Sequence, residues 1–276
     1  MTTPPTVASL QRIAEGREAE IFAWEPGTVL KLYRPGYPAA QAQREAMAMA
    51  AAKAAGGPAP ASLGATEVEG RTGLIIERVD GADLLTRLGK NPALLLTAGS
   101  RLANVQIALH AIQAPAEIPS LRESSVRRIN GRRDLVPDAI ATRALAALDA
   151  LPERDRLLHG DYHPGNVIVT PGGPRVIDWP NATRGEQAAD VARTLLMFRL
   201  GELPPGSPLL IRVLQGVGRK VLVAGYRRTY FGAAPNVTAG DVDRWMLPVA
   251  AVRLTENIAE ERERLLAYIG TLDGMR

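Results

Sequence analysis

Residues 157–179 read LLHGDYHPGNVIVTPGGPRVIDW, and the rest of the chain is understood from them. His159, Asp161 and His163 alternate, so on an extended strand they would share one face, as the ligands of a metal do. Gly160, Pro164 and Gly165 interrupt that strand and make a turn-rich loop. Two short apolar runs follow, NVIVT (166–170) and RVIDW (175–179), joined by the turn residues PGGP, and they read as a β-hairpin. Asn166 opens the first strand and Asp178 ends the second, so the hairpin returns both side chains to one end. Asp161 sits on the loop leading in. One amide and two carboxylates then surround a point. Such oxygen ligands suit Mg²⁺ better than zinc. The set is suited to phosphoryl transfer, with Asn166 and Asp178 holding Mg²⁺ on a nucleotide and Asp161 accepting the proton of an incoming hydroxyl. The competing readings are a zinc site of His159, Asp161 and His163, which leaves Asp178 unexplained, and a capped turn in which His163 bonds locally.

Phosphoryl transfer needs a cation for the nucleotide phosphates, and the first 80 residues contain a candidate. EAEIFAW (18–24) and TVLKLY (28–33) read as strands around an EPG turn. AAQAQREAMAMAAAKAA (39–55) is a helix on propensity, stopped by GGPAP. Residues 64–79 read as a hairpin with an apolar second strand. Lys31 lies among apolar neighbours on its strand and needs a carboxylate partner, which Glu45 in the following helix can supply. Beyond DGADL (80–84) the pattern turns helical: 92–112, 138–151, 186–200, 208–231 and from about 241 to the end, with the hairpin embedded. The expected fold is α+β and bilobal. Residues 1–79 form a small β-rich lobe with one helix, 80–84 a hinge, and 85–276 a larger, mostly helical lobe.

The segment LLHGDYHPGNVIV…RVIDW resembles the catalytic region of aminoglycoside phosphotransferases and their choline-kinase-like relatives, small-molecule kinases with a protein-kinase-like fold. TVLKLY with Glu45, IIERVDGADL and GEQAADVART extend the resemblance, in order, over about residues 15–200. It implies a kinase that transfers the γ-phosphate of ATP or GTP to a hydroxyl of a small molecule, an antibiotic or a metabolite such as an amino alcohol or sugar. By the same resemblance Asp161 is the base, Asn166 and Asp178 bind Mg²⁺, and Lys31, oriented by Glu45, meets the nucleotide phosphates. The carbonyl of Glu77 and the N–H of Val79 meet the adenine edge, and Gly16 belongs to the nucleotide loop. His159 and Asp190 support the catalytic loop, Asp190 by accepting its N–H groups. The nucleotide loop, EGREAEIF, departs from the family pattern: it has one glycine and no serine. A nucleotide-binding pseudokinase is the alternative that this loop suggests.

Composition narrows the remaining choices. The 276 residues contain no cysteine, which excludes disulfides, zinc–thiolate sites and cysteine nucleophiles. The N-terminus lacks the features of a signal peptide, and no apolar run approaches the ~18 residues of a membrane span. These point to a cytoplasmic protein that binds no membrane. The net charge of +4 comes largely from scattered arginines. The densest cluster, RRINGRRD (127–134), reads as a solvated helix end and loop, so no nucleic-acid partner is expected. In LTENIAEERERLL (254–266), Glu256, Glu260 and Glu263 have the i, i+4, i+7 spacing of one helical face, where they could line a pocket for a cationic acceptor. The competing reading is a solvated helix stitched by Glu260–Arg264. Beyond residue 180, 13 Lys and Arg face 10 Asp and Glu, so this half is not acidic overall.

Overall fold

The computed structural model describes residues 5–200, 209–234 and 236–272, the side chains of 209–215 excepted. The chain opens with β1 (Arg12–Glu15), β2 (Ala19–Ala23), β3 (Thr28–Tyr33), helix α1 (Ala39–Ala54), β4 (Ser62–Val68) and β5 (Arg71–Glu77). The five strands form one antiparallel sheet in the order β1-β2-β3-β5-β4. Central β3 alternates with period two. Leu30 and Leu32 join Phe22 and Val68 in a small core on one face. Lys31 and Tyr33 point to the other face, towards α1. That helix buries Ala42, Glu45, Ala48, Met49 and Ala52. Their spacing follows one helical stripe, and its alanines allow close approach to the sheet.

β5 ends at Glu77, and the Arg78 N–H is tied to the Gly27 carbonyl at 2.9 Å. Within the segment 80–84 expected as a hinge, Ala82–Asp83 forms a short strand, β6, paired with Ile168 and Val169 of the hairpin. The Asp83 carboxylate then caps α2 (Leu84–Lys90) by accepting the Thr86 N–H at 2.8 Å. Next come α3 (Leu95–His110), α4 (Leu121–Gly131), α5 (Asp138–Ala150), β7 (Arg156–Leu158), β8 (Val167–Thr170), β9 (Gly173–Val176) and β10 (Thr183–Gly185). The expected hairpin is β8–β9; β7 pairs instead with β10. Four helices follow: α6 (Gln187–Leu200), α7 (Leu209–Ala233), α8 (Ala239–Leu254) and α9 (Ala259–Thr271). The architecture is α+β, a sheet region followed by a helical region. Among the described residues no helix is long and apolar enough to cross a membrane.

Two expectations are corrected here. Residues 254–266 are not one helix: α8 stops at Leu254, Asn257 takes a left-handed φ of 53°, and α9 begins at Ala259. Asparagine is one of the few non-glycine residues that tolerate that conformation. Glu256 therefore lies on the connection, off the face that carries Glu260 and Glu263. The arginine cluster is not simply solvated either. Arg128 bonds Glu256 at 2.9 Å, and Arg122 donates to the carbonyls of Leu148 and Leu151.

In the helical region α3 packs along α7 through glycines. A Cβ on Gly99 would fall 2.6 Å from the Tyr226 nitrogen and closer still to the Leu222 carbonyl. Gly99→Ala should therefore cost about 1–3 kcal/mol of unfolding free energy in urea titration. Gly270→Ala, in α9 with nothing within 4 Å of the added carbon, should be neutral or stabilising by no more than about 1 kcal/mol.

Candidate active site

The loop 159–166 is held from beneath by α6. Asp190, in its first turn, accepts the N–H groups of Gly160 at 2.8 Å and His159 at 3.3 Å. It also accepts Nε2 of Gln106 at 3.0 Å and lies 3.0 Å from Nε2 of His110. Burial pushes the Asp190 carboxyl up, but the hydrogen bond and charge of His110, with the Gln106 bond, outweigh it and hold the pKa at about 2. One turn later Arg193 donates its Nε to the Gly160 carbonyl at 3.0 Å. The helix thus grips both the N–H and the C=O groups of one loop segment. Gly160 has φ +74°, and a Cβ there would strike the Asn181 carbonyl. Only glycine fits this turn without strain.

Neither histidine of the loop is disposed as a metal ligand. His159 is fully buried; its Nδ1 accepts the Asp161 N–H at 3.2 Å, and its Nε2 meets the Ile177 carbonyl at 3.1 Å. Its ring lies edge-on to Trp179, centroids 4.7 Å apart. The Nδ1 of His163 accepts the Gly165 N–H at 3.1 Å, and burial lowers the pKa of this ring despite the nearby Asp161. Among the described residues no group of three or more His, Cys, Asp or Glu could hold a metal ion.

Asp161, Asn166 and Asp178 line one cavity of about 1730 Å³, together with Lys31 and Glu45. Asn166 donates its Nδ2 to the Asp161 carbonyl at 2.9 Å. That fixes the amide orientation and leaves Oδ1 uncommitted. Asp178 lies two residues beyond the end of β9, with φ +67°, a left-handed conformation that aspartate tolerates and that often marks functional sites. Its Oδ1 accepts Lys31 Nζ at 2.6 Å. Burial would raise the Asp178 pKa, but the Lys31 ammonium outweighs it and holds the group below its ordinary value.

Lys31 reaches in from β3, where the pleat turns it towards α1, and its Nζ also donates to Glu45 Oε1 at 2.7 Å. Burial pulls the lysine pKa down, yet Glu45 and Asp178 together raise it, so the ammonium persists in the interior. Glu45 accepts two further donors, the Tyr33 hydroxyl at 2.5 Å and the Trp179 N–H at 3.2 Å. Tyr33 was legible only in outline: the alternation of β3 puts positions 31 and 33 on one face.

Gly16, Glu77 and Val79 also line the cavity. The Glu77 side chain is turned aside, bonding Lys53 at 3.0 Å and the Ala61 N–H at 2.8 Å. Glu256 is taken up by cations: Arg193 at 2.7 Å, Arg128 at 2.9 Å and Arg253 at 2.5 Å. Burial raises its pKa, and Arg193, Arg253 and Arg128 bring it down to about 2. Glu260 and Glu263 are exposed and do not line the cavity; Glu261 does. Sequence reasoning missed Arg193, whose Nη2 lies 3.6 Å from Asp161 Oδ1. Its position three residues after Asp190 was the available signal.

The profile of the phosphotransferase enzyme family matches residues 9–231. The chain belongs to this family. Comparison with curated protein sequences yields no match. Solved structures similar to this phosphotransferase include an aminoglycoside 3′-phosphotransferase of type VIII, 21% identical, with a TM-score of 0.61, covering 89% of this chain and 90% of that one. An aminoglycoside 3″-phosphotransferase of Streptomyces rimosus, solved with ADP and streptomycin, is 18% identical at a TM-score of 0.56, covering 89% and 92%. A protein of Haemophilus somnus assigned as a fructosamine-3-kinase is 14% identical at a TM-score of 0.60, covering 95% and 89%. At these identities the likeness establishes the fold, and the family profile makes the chain a small-molecule phosphotransferase.

The grip of α6 on the loop has a pH signature. Asp190 is depressed to about 2 in the fold from 3.8 in free aspartate. Its ionised form therefore favours folding above pH 3.8, and this contribution is lost as pH falls towards 2. Asp190→Asn should destabilise the phosphotransferase by about 1–3 kcal/mol at neutral pH. In urea titrations at stepped pH, the gap from wild type should narrow progressively below pH 3.8.

Proposed function

We propose that this phosphotransferase moves the γ-phosphate of ATP or GTP to a hydroxyl group of a small molecule, with Asp161 as the base. The observation that carries the reading is the convergence of Lys31, Glu45, Asp161, Asn166 and Asp178 on one cavity. Lys31, anchored by Glu45, offers a cation for the nucleotide phosphates. The Val79 N–H takes no protein acceptor among the described residues, which leaves it for the edge of a purine base, beside the Glu77 carbonyl. Asn166 Oδ1 and Asp178 Oδ2 are hard oxygens not consumed by the bonds just described, and they fit Mg²⁺. When bound, Mg²⁺ would neutralise charge on the transferring phosphates.

Asp161 takes the proton of the acceptor hydroxyl as its oxygen bonds to the γ-phosphorus and the bond to the nucleoside diphosphate breaks. Arg193 and the His159 ring, bonded to the Gly160 carbonyl and the Asp161 N–H, hold the base in place. A nucleotide reader that transfers no phosphate is the second reading. One feature favours it: Glu18 in the nucleotide loop puts a carboxylate on the cavity, its pKa raised by burial and then by Asp178.

With radiolabelled ATP and GTP and Mg²⁺, wild type should release or transfer phosphate, and Asp161→Asn should lower the rate by about 10²–10⁴-fold. Nucleotide diphosphate binding should survive that substitution and be lost in Lys31→Ala, and EDTA should abolish turnover. Equal turnover by wild type and Asp161→Asn would remove Asp161 as the base; binding without turnover in wild type would favour the second reading.

A further inference from the structure

Resting on the phosphotransferase reading above, we infer that the acceptor is an uncharged, largely apolar alcohol rather than a polycationic amine. The cavity of about 1730 Å³ exceeds the roughly 300–1,000 Å³ of a site for one small ligand, so it has room for donor and acceptor together. Its N-terminal wall and linker carry the residues assigned to the nucleotide. The remaining wall comes from the helical region and is largely apolar: Leu85, Leu95, Leu96, Phe198, Val217 and Leu222 line it.

These side chains are not a buried core that happens to border a void. Leu96 is 77% exposed, Leu85 59% and Val217 57%, and all three are among the few large apolar side chains that the described residues leave open to solvent. Apolar groups gathered around one concave mouth mark a place where a ligand removes them from water. The α3–α7 contact assembles the patch. A Cβ on Gly218 would lie 3.0 Å from Leu95 Cδ1, so the small residue lets Leu95 lie against α7.

Charge on the described part of this wall disfavours a polycation. Among the described residues the helical wall beyond the catalytic loop and Asp178 brings one carboxylate to the cavity, Glu261. Arg253 holds it with both arms of its guanidinium, Nε to Oε2 at 2.7 Å and Nη2 to Oε1 at 2.8 Å. Burial lowers the pKa of Arg253, but its bond to Glu261 and the charges of Glu256 and Glu261 more than offset this and raise it. Glu256 is likewise consumed by three arginines. Two guanidiniums, Arg219 and Arg253, line the same wall. An ammonium entering here would lose its hydration without gaining a free carboxylate, whereas a neutral apolar body would cover the exposed leucines and valine while presenting its hydroxyl to Asp161.

The test uses the full-length protein, the neutral apolar dye Nile red and the polycationic aminosugar kanamycin. Wild type should bind the dye saturably. Leu96→Glu and Val217→Glu should each weaken that binding at least tenfold; both positions are more than half exposed, so melting temperatures should stay close to wild type and confirm folding. Kanamycin at millimolar concentration should neither displace the dye nor accept phosphate. Dye binding that is absent, or unchanged in both variants, would overturn the inference, as would displacement or phosphorylation of kanamycin. The parent reading is judged separately, by the thermal shift that ADP or GDP gives wild type and Lys31→Ala abolishes. Loss of that shift in wild type would sink the nucleotide reading while the dye still reports on the wall.

Discussion

A single buried carboxylate ties the halves of this molecule together. Glu45 is 1% exposed and would pay several kcal/mol for leaving water without partners. It finds three: the Lys31 ammonium, the Tyr33 hydroxyl and the Trp179 N–H. The first two come from the sheet, and the third from the residue after Asp178, in the segment that follows the hairpin. One side chain on α1 therefore sets the position of Lys31 and joins the sheet to the segment that carries Asp178. The same Lys31 Nζ completes the link by bonding Asp178 itself.

A second polar device does for the loop 159–166 what Glu45 does for the sheet. Asp190 and Arg193, one turn apart on α6, bind the N–H groups of His159 and Gly160 and the Gly160 carbonyl. A loop with Gly160 in the left-handed region has no regular ladder to satisfy its backbone, so buried side chains must supply the partners. Arg193 then continues to Glu256, which joins α4, α6 and the α8–α9 connection through Arg128 and Arg253. Positive and negative groups alternate through this network, and every arginine that reaches Glu256 is met by its carboxylate.

Much of this was legible before any coordinates. The apolar neighbours of Lys31 in TVLKLY marked it as a strand lysine in need of a carboxylate partner, and the apolar runs around PGGP read as a hairpin that returns Asn166 and Asp178 to one end. Local patterns carried these elements because they depend on neighbours within a few residues. The reading faltered where local pattern and tertiary context disagree. Residues 254–266 have helical spacing throughout, yet Asn257 turns left-handed and separates Glu256 from Glu260 and Glu263. Ala82–Asp83, inside the expected hinge, are too short to show a strand period, and only their pairing with Ile168 and Val169 makes them a strand. Within RRINGRRD, Arg127 and Arg133 are exposed as expected, whereas Arg128 looked solvated because its carboxylate partner lies 128 residues away.

The amino-acid sequence by itself determined the chemical inventory: which residues can hold a divalent cation, accept a proton or neutralise phosphate, and the order in which the chain presents them. That information is local, written in residue type, spacing and turn chemistry. Only the tertiary structure decided how those charges are spent. Whether a glutamate is free to receive a cationic ligand depends on which arginines reach it, and Arg253, Arg193 and Arg128 come to Glu256 and Glu261 from three separate helices. Charge pairing across a fold is set by distance in space, which residue order does not specify.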